Sequence, residues 1–123
     1  MLNILVAAPA KDGLKDFCAA LAEGASVALD WAQSGQEALR KAAENAPHMV
    51  LIDQDLGDMA PFDLVAKLLG VNALINTVVV SDLPDEEFHE ASEGLGIMAC
   101  LPPRPGREQA PAVLEKLKSL TGL

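Results

Sequence analysis

His48-Met49-Val50-Leu51-Ile52-Asp53 is the stretch that decides the fold. Met49 to Ile52 form an unbroken apolar run, bounded on the left by Ala46-Pro47. An apolar run without alternation reads as a short strand buried on both faces, the pattern of a parallel sheet. Asp53 follows at once. A carboxylate at the C-terminal tip of a central strand lies where open α/β sheets place their ligands. The rival reading is that Asp53 only caps a strand or starts a turn.

Toward the N-terminus, Asn3-Ile4-Leu5-Val6-Ala7-Ala8 is another apolar run and reads as the first strand, ended by Pro9. Lys11-Asp12-Gly13 is a turn. Leu14, Phe17, Cys18 and Leu21 then recur at i, i+3, i+4 and i+7, one face of a helix, which Gly24 stops. Ser26-Val27-Ala28-Leu29-Asp30-Trp31 alternates at its start and suits a more exposed edge strand. Ser34-Gly35-Gln36-Glu37 is a capping box. The helix it opens runs through Ala38, Leu39, Ala42 and Ala43 and frays at Asn45.

Toward the C-terminus, Leu56 to Pro61 is a loop of turn formers. Phe62, Leu64, Val65, Leu68 and Leu69 mark a helix closed by Gly70. Asn76-Thr77-Val78-Val79-Val80-Ser81 is the most β-prone run of the chain. Leu83-Pro84-Asp85-Glu86-Glu87 reads as a helix start, with acids facing the positive end of the dipole, and that helix ends near Gly94 to Gly96. Ile97 to Leu101 form the last strand, cut off by the stiff loop Pro102-Pro103-Arg104-Pro105. Ala110, Val113, Leu114, Leu117 and Leu120 form the apolar stripe of a closing helix. Strand and helix thus alternate five times, which implies an α/β fold with a parallel sheet covered on both faces.

The 123 residues fit one domain spanning 1–123, and half of them are hydrophobic, enough for a sizeable core. No apolar run approaches the ~20 residues that cross a bilayer. The start Met1-Leu2-Asn3-Ile4 lacks the basic region of a signal peptide. A cytoplasmic protein is expected. Cys18 and Cys100 lie in apolar contexts and are expected to pack as small hydrophobes rather than form a disulfide. A net charge of −9 argues against nucleic acid or an anionic membrane as partner. One Trp, three Phe and no Tyr make a base-stacking platform improbable.

Taken together, HMVLIDQDLGDMAPFDL, INTVVVSD, LGIMACLPPRP and the capping-box helix SGQEAL resemble the receiver domains of two-component response regulators, CheY-like proteins, over essentially the whole chain. The resemblance implies a three-layer (βα)5 flavodoxin-like fold whose five-stranded parallel sheet has the order 2-1-3-4-5. It implies a signalling module of a phosphorelay rather than an enzyme, with Asp53 as acceptor of a phosphoryl group from a histidine kinase. That chemistry needs the acceptor carboxylate and a hard cation, usually Mg²⁺, with several oxygen ligands. It also needs a hydroxyl at the end of the fourth strand and a fixed ammonium at the end of the fifth.

Asp53 and Ser81 match the acceptor and the hydroxyl. The acid pair that the family carries after the first strand is replaced by Ala8-Pro9, so Mg²⁺ binding is expected to be weak. The residue after the hydroxyl, usually small, is Asp82. The lysine position falls on Pro103, or on Arg104 if one residue is inserted, and arginine is no equivalent of lysine there. Cys100 stands where an aromatic is common. The pattern implies a degenerate, pseudo-receiver that acts by protein contact, with impaired Mg²⁺-dependent phosphorylation at Asp53. The surface implied for partners is the fourth helix, fifth strand and fifth helix, through which a monomer could also pair weakly with a second copy.

The alternative is a phospho-accepting receiver with a rebuilt cation site. In it Asp53, Asp82 and Arg104, aided by Asp55 and Asp58, would form a new cage, or Asp53 and Asp82 would share a proton. Asp55, Asp58 and Asp63 are expected in the first place to be solvated loop and capping acids. Arg104 is expected to reach Asp53 directly or through water; the rival is a solvent-exposed loop arginine. An enzyme or nucleotide-binding reading finds no GxGxxG after the first strand, no P-loop and no Cys-x-x-Cys. His48 and His89 are isolated, and Ser81-Asp82 has no histidine in triad spacing. With no effector domain in the sequence, the chain is expected to be a stand-alone receiver or a fragment of a larger protein.

Overall fold

The computed structural model describes residues 1–23 and 27–122. Strands β1 (Leu2–Ala7), β2 (Val27–Ala32), β3 (Met49–Ile52), β4 (Asn76–Val80) and β5 (Ala99–Leu101) pair in parallel, in the order β2-β1-β3-β4-β5. They alternate with helices α1 (Lys15–Glu23), α2 (Gly35–Glu44), α3 (Pro61–Val71), α4 (Asp85–Ser92) and α5 (Ala110–Thr121). This is the expected CheY-like, flavodoxin-like architecture. No described helix is long and apolar enough to cross a membrane.

The sheet divides the interior into two cores, because successive side chains of a strand point to opposite faces. Ile4, Val6, Met49, Leu51 and Val78 face one way and pack with Phe17 and Leu21 of α1 and Leu117 of α5. Leu5, Ala7, Val50, Ile52 and Val79 face the other way and meet Ala38 and Ala42 of α2 and Leu64 and Leu68 of α3. All four residues of β3 are fully buried. Helix α4 is the exception among the helices: it buries no side chain fully, and only Phe88 leans on the second core. The Phe88 ring meets Phe62 of α3 at 5.5 Å between centroids.

Several boundaries differ from the sequence expectation. Gly70 does not close α3; the helix continues to Val71, and the Asn72 N–H donates to the Leu68 carbonyl. The last strand is shorter, Ala99–Leu101, although the Met98 N–H still donates to Thr77 O at 2.8 Å. Leu120 lies outside the α5 stripe and is 57% exposed, and Cys100 is exposed rather than packed. Cys18 is buried, which pushes its thiol up to about 12. The capping box is half realised. Ser34 Oγ accepts from the Glu37 N–H at 3.1 Å, while Glu37 Oε1 accepts from Gln33 rather than from the cap. The Gly24 stop and the Ser26 strand start lie outside the described residues.

Phe17 fills the first core with no exposed surface. Phe17→Ala is expected to cost about 3–5 kcal/mol, read as a lower urea midpoint at unchanged slope.

Candidate functional site

The C-terminal rim of the sheet is built by backbone bonds that carry the ladder one residue past each strand. The Asp53 N–H donates to Ala7 O at 3.0 Å, the Ala8 N–H to Ala32 O at 2.9 Å and the Ser81 N–H to Leu101 O at 3.0 Å. Ala7 pairs with Ile52, Ile52 with Val79 and Val80 with Leu101. Continuing these registers, Ala8 stands level with Asp53, and Ser81 one residue higher, level with Pro102. Ala8, Asp53 and Ser81 therefore share one rim. Ala8 is buried and Pro9 exposed, so the neighbour strand offers Asp53 a methyl group and a ring but no carboxylate.

Asp53 is half-buried, with Oδ1 accepting the Gln54 N–H at 2.8 Å. Burial raises its pKa first of all; the Gln54 bond opposes the shift, and the Asp55 carboxylate adds to it. Ser81 Oγ accepts the Leu83 N–H at 3.1 Å, holding the start of the next loop. Asp82 is exposed and makes no hydrogen bond to Asp53 among the described residues.

The other loop acids turn elsewhere. Asp55 Oδ1 accepts the Gly57 N–H at 3.0 Å, in a turn that needs the glycine's φ of +82°. Asp58 reaches across to the start of α2, where Oδ1 accepts the Gly35 N–H at 2.9 Å and Oδ2 the Gln36 N–H at 3.0 Å. These bonds, in that order, hold the Asp58 carboxyl below the usual aspartate range. Two free N–H groups and the positive end of a helix dipole satisfy a carboxylate well. Met59 follows it onto the same helix end. A Cβ on Gly35 would fall 2.5 Å from Met59 Sδ, so the missing side chain makes room for the loop.

The proposed cage is therefore not assembled. Among the described residues no three His, Cys, Asp or Glu side chains come together as a metal would require. The donors do not fit Mg²⁺, which demands near-ideal octahedral oxygen geometry: Asp53 stands at the rim, while Asp55 and Asp58 are folded into the turn and the helix end.

The direct contact of Arg104 with Asp53 is also not made. Arg104 is exposed, and neither a hydrogen bond nor an ion pair joins the two among the described residues. Its φ of +53° turns the chain sharply, a conformation costing a non-glycine residue about 1 kcal/mol. Pro103 is exposed and Pro105 is buried. The loop turns at Arg104 and anchors through the ring after it, leaving the guanidinium outside.

Sequence reading missed the Asp58 clamp, because its partners lie 23 and 22 residues upstream. The signal was a short acid in a turn-rich loop together with a glycine at the first helical position. It also missed the His48 lattice at the opposite rim. There the His48 N–H donates to Asn3 O at 2.9 Å, and His48 Nδ1 accepts from the Asn3 N–H at 2.9 Å.

No protein-family model matches the chain, and comparison with curated proteins finds no match. Among solved structures it is similar to receiver domains. The CheY-like response regulator receiver domain protein of Methanospirillum hungatei superposes with a TM-score of 0.84 at 19% identity, covering 99% of this chain and 98% of that one. The chemotaxis response regulator CheY4 of Vibrio cholerae gives 0.82 at 17% identity, with 95% and 98% covered. The response regulator domain of Thermotoga maritima CheB gives 0.77 at 19% identity, with 100% and 98% covered. At such identities the likeness is one of fold.

Two carboxylates of this region have opposite pH signatures. Asp53 is raised in the fold, so its contribution is full below the ordinary 3.8 and is lost as pH rises through the folded value. Asp53→Asn, which keeps the Gln54 acceptor, is expected to stabilise the fold at pH 7, by an amount reduced by screening from water, and to be neutral in acid. Asp58 is lowered, so its contribution is present above 3.8 and is lost as pH falls through the folded value. Asp58→Ala is expected to lower the thermal midpoint at pH 7, and the gap should close in acid. Melting curves of the three proteins across pH check both signs.

Proposed function

We propose that this chain is a receiver-like signalling module of a two-component phosphorelay. Residues 1–123 act as one unit that works in the cytoplasm by protein contact rather than as an enzyme. Its partner is a histidine kinase or another signalling protein, and Mg²⁺-dependent phosphorylation at Asp53 is impaired. One observation carries this reading: at the level of Asp53, the adjacent strand ends in Ala8 and Pro9, where phosphoryl transfer needs carboxylates to hold a cation. The missing lysine supports it, since Arg104 makes no bond to Asp53. The likeness of fold to CheY4, a chemotaxis response regulator, supports the signalling class. Ser81 and Asp53 keep the acceptor and hydroxyl positions, so the rim retains the shape of a switch without its charges.

The test is an amide NMR titration of the protein with Mg²⁺, followed by beryllofluoride, a mimic of the phosphoryl group. Spectra unchanged at Asp53, Gln54 and Ser81 are expected into the millimolar range. Saturable shifts at those amides would establish instead a working acceptor with a rebuilt cation site.

A further inference from the structure

Between α4 and β5 runs a groove of about 240 Å³. Phe88 and His89 wall it on the helix side, Ile97, Met98 and Cys100 line it on the strand side, and Asp85 stands at one end. Strand β5 is the edge of the sheet, so no further strand closes its outer side. Helix α4 buries no side chain fully and leaves the Phe88 ring half-exposed at the groove. Lys116 of α5 donates from its ammonium to Met98 O at 2.7 Å, which places one cation beside the groove.

The chain segment that builds most of this groove is strongly acidic. From Leu68 to Pro103 the chain has no Lys or Arg and six acids: Asp82, Asp85, Glu86, Glu87, Glu90 and Glu93. This stretch therefore holds six of the nine net negative charges of the molecule. All six acids are exposed, and among the described residues none takes part in an ion pair. Glu86 and Glu90, and Glu87 and Glu90, are helix neighbours of like sign, which weakens α4. The helix dipole favours Asp85, Glu86 and Glu87 in the first turn, but among the described residues no ion pair answers these acids; a cationic partner would.

We infer that the α4–β5 groove receives a basic amphipathic segment of a partner protein. An apolar side chain seats against Phe88, Ile97 and Met98, and Lys or Arg side chains meet the acids of α4. This rests on the contact-module reading and names the chemistry of the contact. Complementary charge speeds encounter and rejects wrong partners, while the apolar seat supplies affinity. The same field disfavours a second copy on this face, because it would bring two such acidic helices together.

The test is selection of short random displayed peptides on the intact protein, followed by amide NMR mapping of the winners. Enriched peptides are expected to carry net positive charge and one or two large apolar residues, and to shift Phe88, Ile97, Met98 and Cys100. Glu86→Lys combined with Glu93→Lys changes two exposed positions without touching the core; it is expected to weaken binding by about tenfold or more, as is raised salt. Acidic or uncharged winners, winners that shift only side chains remote from the groove, or a charge-reversed variant that binds as tightly as the parent would overturn the inference. So would a concentration-dependent dimer formed through this face. The two readings fail separately: beryllofluoride shifts at Asp53 would reject the impaired acceptor and leave the peptide result standing, whereas silent Asp53 amides with unselective peptides would reject the basic partner alone.

Discussion

Burial on both faces of the sheet is the constraint from which the rest of this molecule follows. Met49, Val50, Leu51 and Ile52 expose nothing, and their side chains are dealt alternately into two cores. A polar side chain inside such a strand would lose its water without a partner, at a cost of a few kcal/mol. In β3 polar groups are therefore kept to the strand's flanks, and the two ends of the sheet are treated differently. At the N-terminal end His48 bonds to both Asn3 and Asn76, the Asn76 side chain and backbone both donating to His48 O at 3.1 Å. At the C-terminal end the side chains of Asp53 and Ser81, among the described residues, bond only to backbone N–H groups of their own loops, at Gln54 and Leu83. One rim is knitted shut, and the other keeps these side chains uncommitted to any neighbouring strand.

At that open rim the described acids do not converge as a metal would require. Where a cation would need converging carboxylates, the loop after β3 has folded its acids into structural work. Asp55 makes a turn and Asp58 caps α2. Asp53, at the rim, is pushed toward its neutral form by burial and by Asp55. A protein with this arrangement retains the packing that couples the rim to the loops above it. On the proposed reading, a rim without converging carboxylates favours a constitutive contact surface over a switched one.

Much of this was legible in the residues, and the illegible part has a physical pattern. The unbroken run of β3 and the spacing of Leu14, Phe17, Cys18 and Leu21 specify burial directly, since strand and helix periods are local properties. Ser34 as a helix cap is local too, acting three residues ahead. What escaped reading were groups whose meaning depends on distant partners. Asp58 looks like any loop acid until α2 is placed beside it. Arg104 looked able to reach Asp53, but the left-handed backbone at that residue sends the chain another way. Gly70 has the chemistry of a helix stop, yet Asn72 supplies the terminal bond and α3 runs past it. Leu120 continues the apolar spacing of α5 one turn beyond the reach of the sheet.

Helix α4 touches the interior through Phe88 and its meeting with Phe62 and otherwise lies on the surface. Packing therefore restrains very few of its positions, while every residue of β3 is restrained from two sides. Over generations the helix can exchange its outward letters with little penalty to folding, and the sheet cannot. A lineage that needs to address a new correspondent can rewrite the label and leave the envelope unchanged.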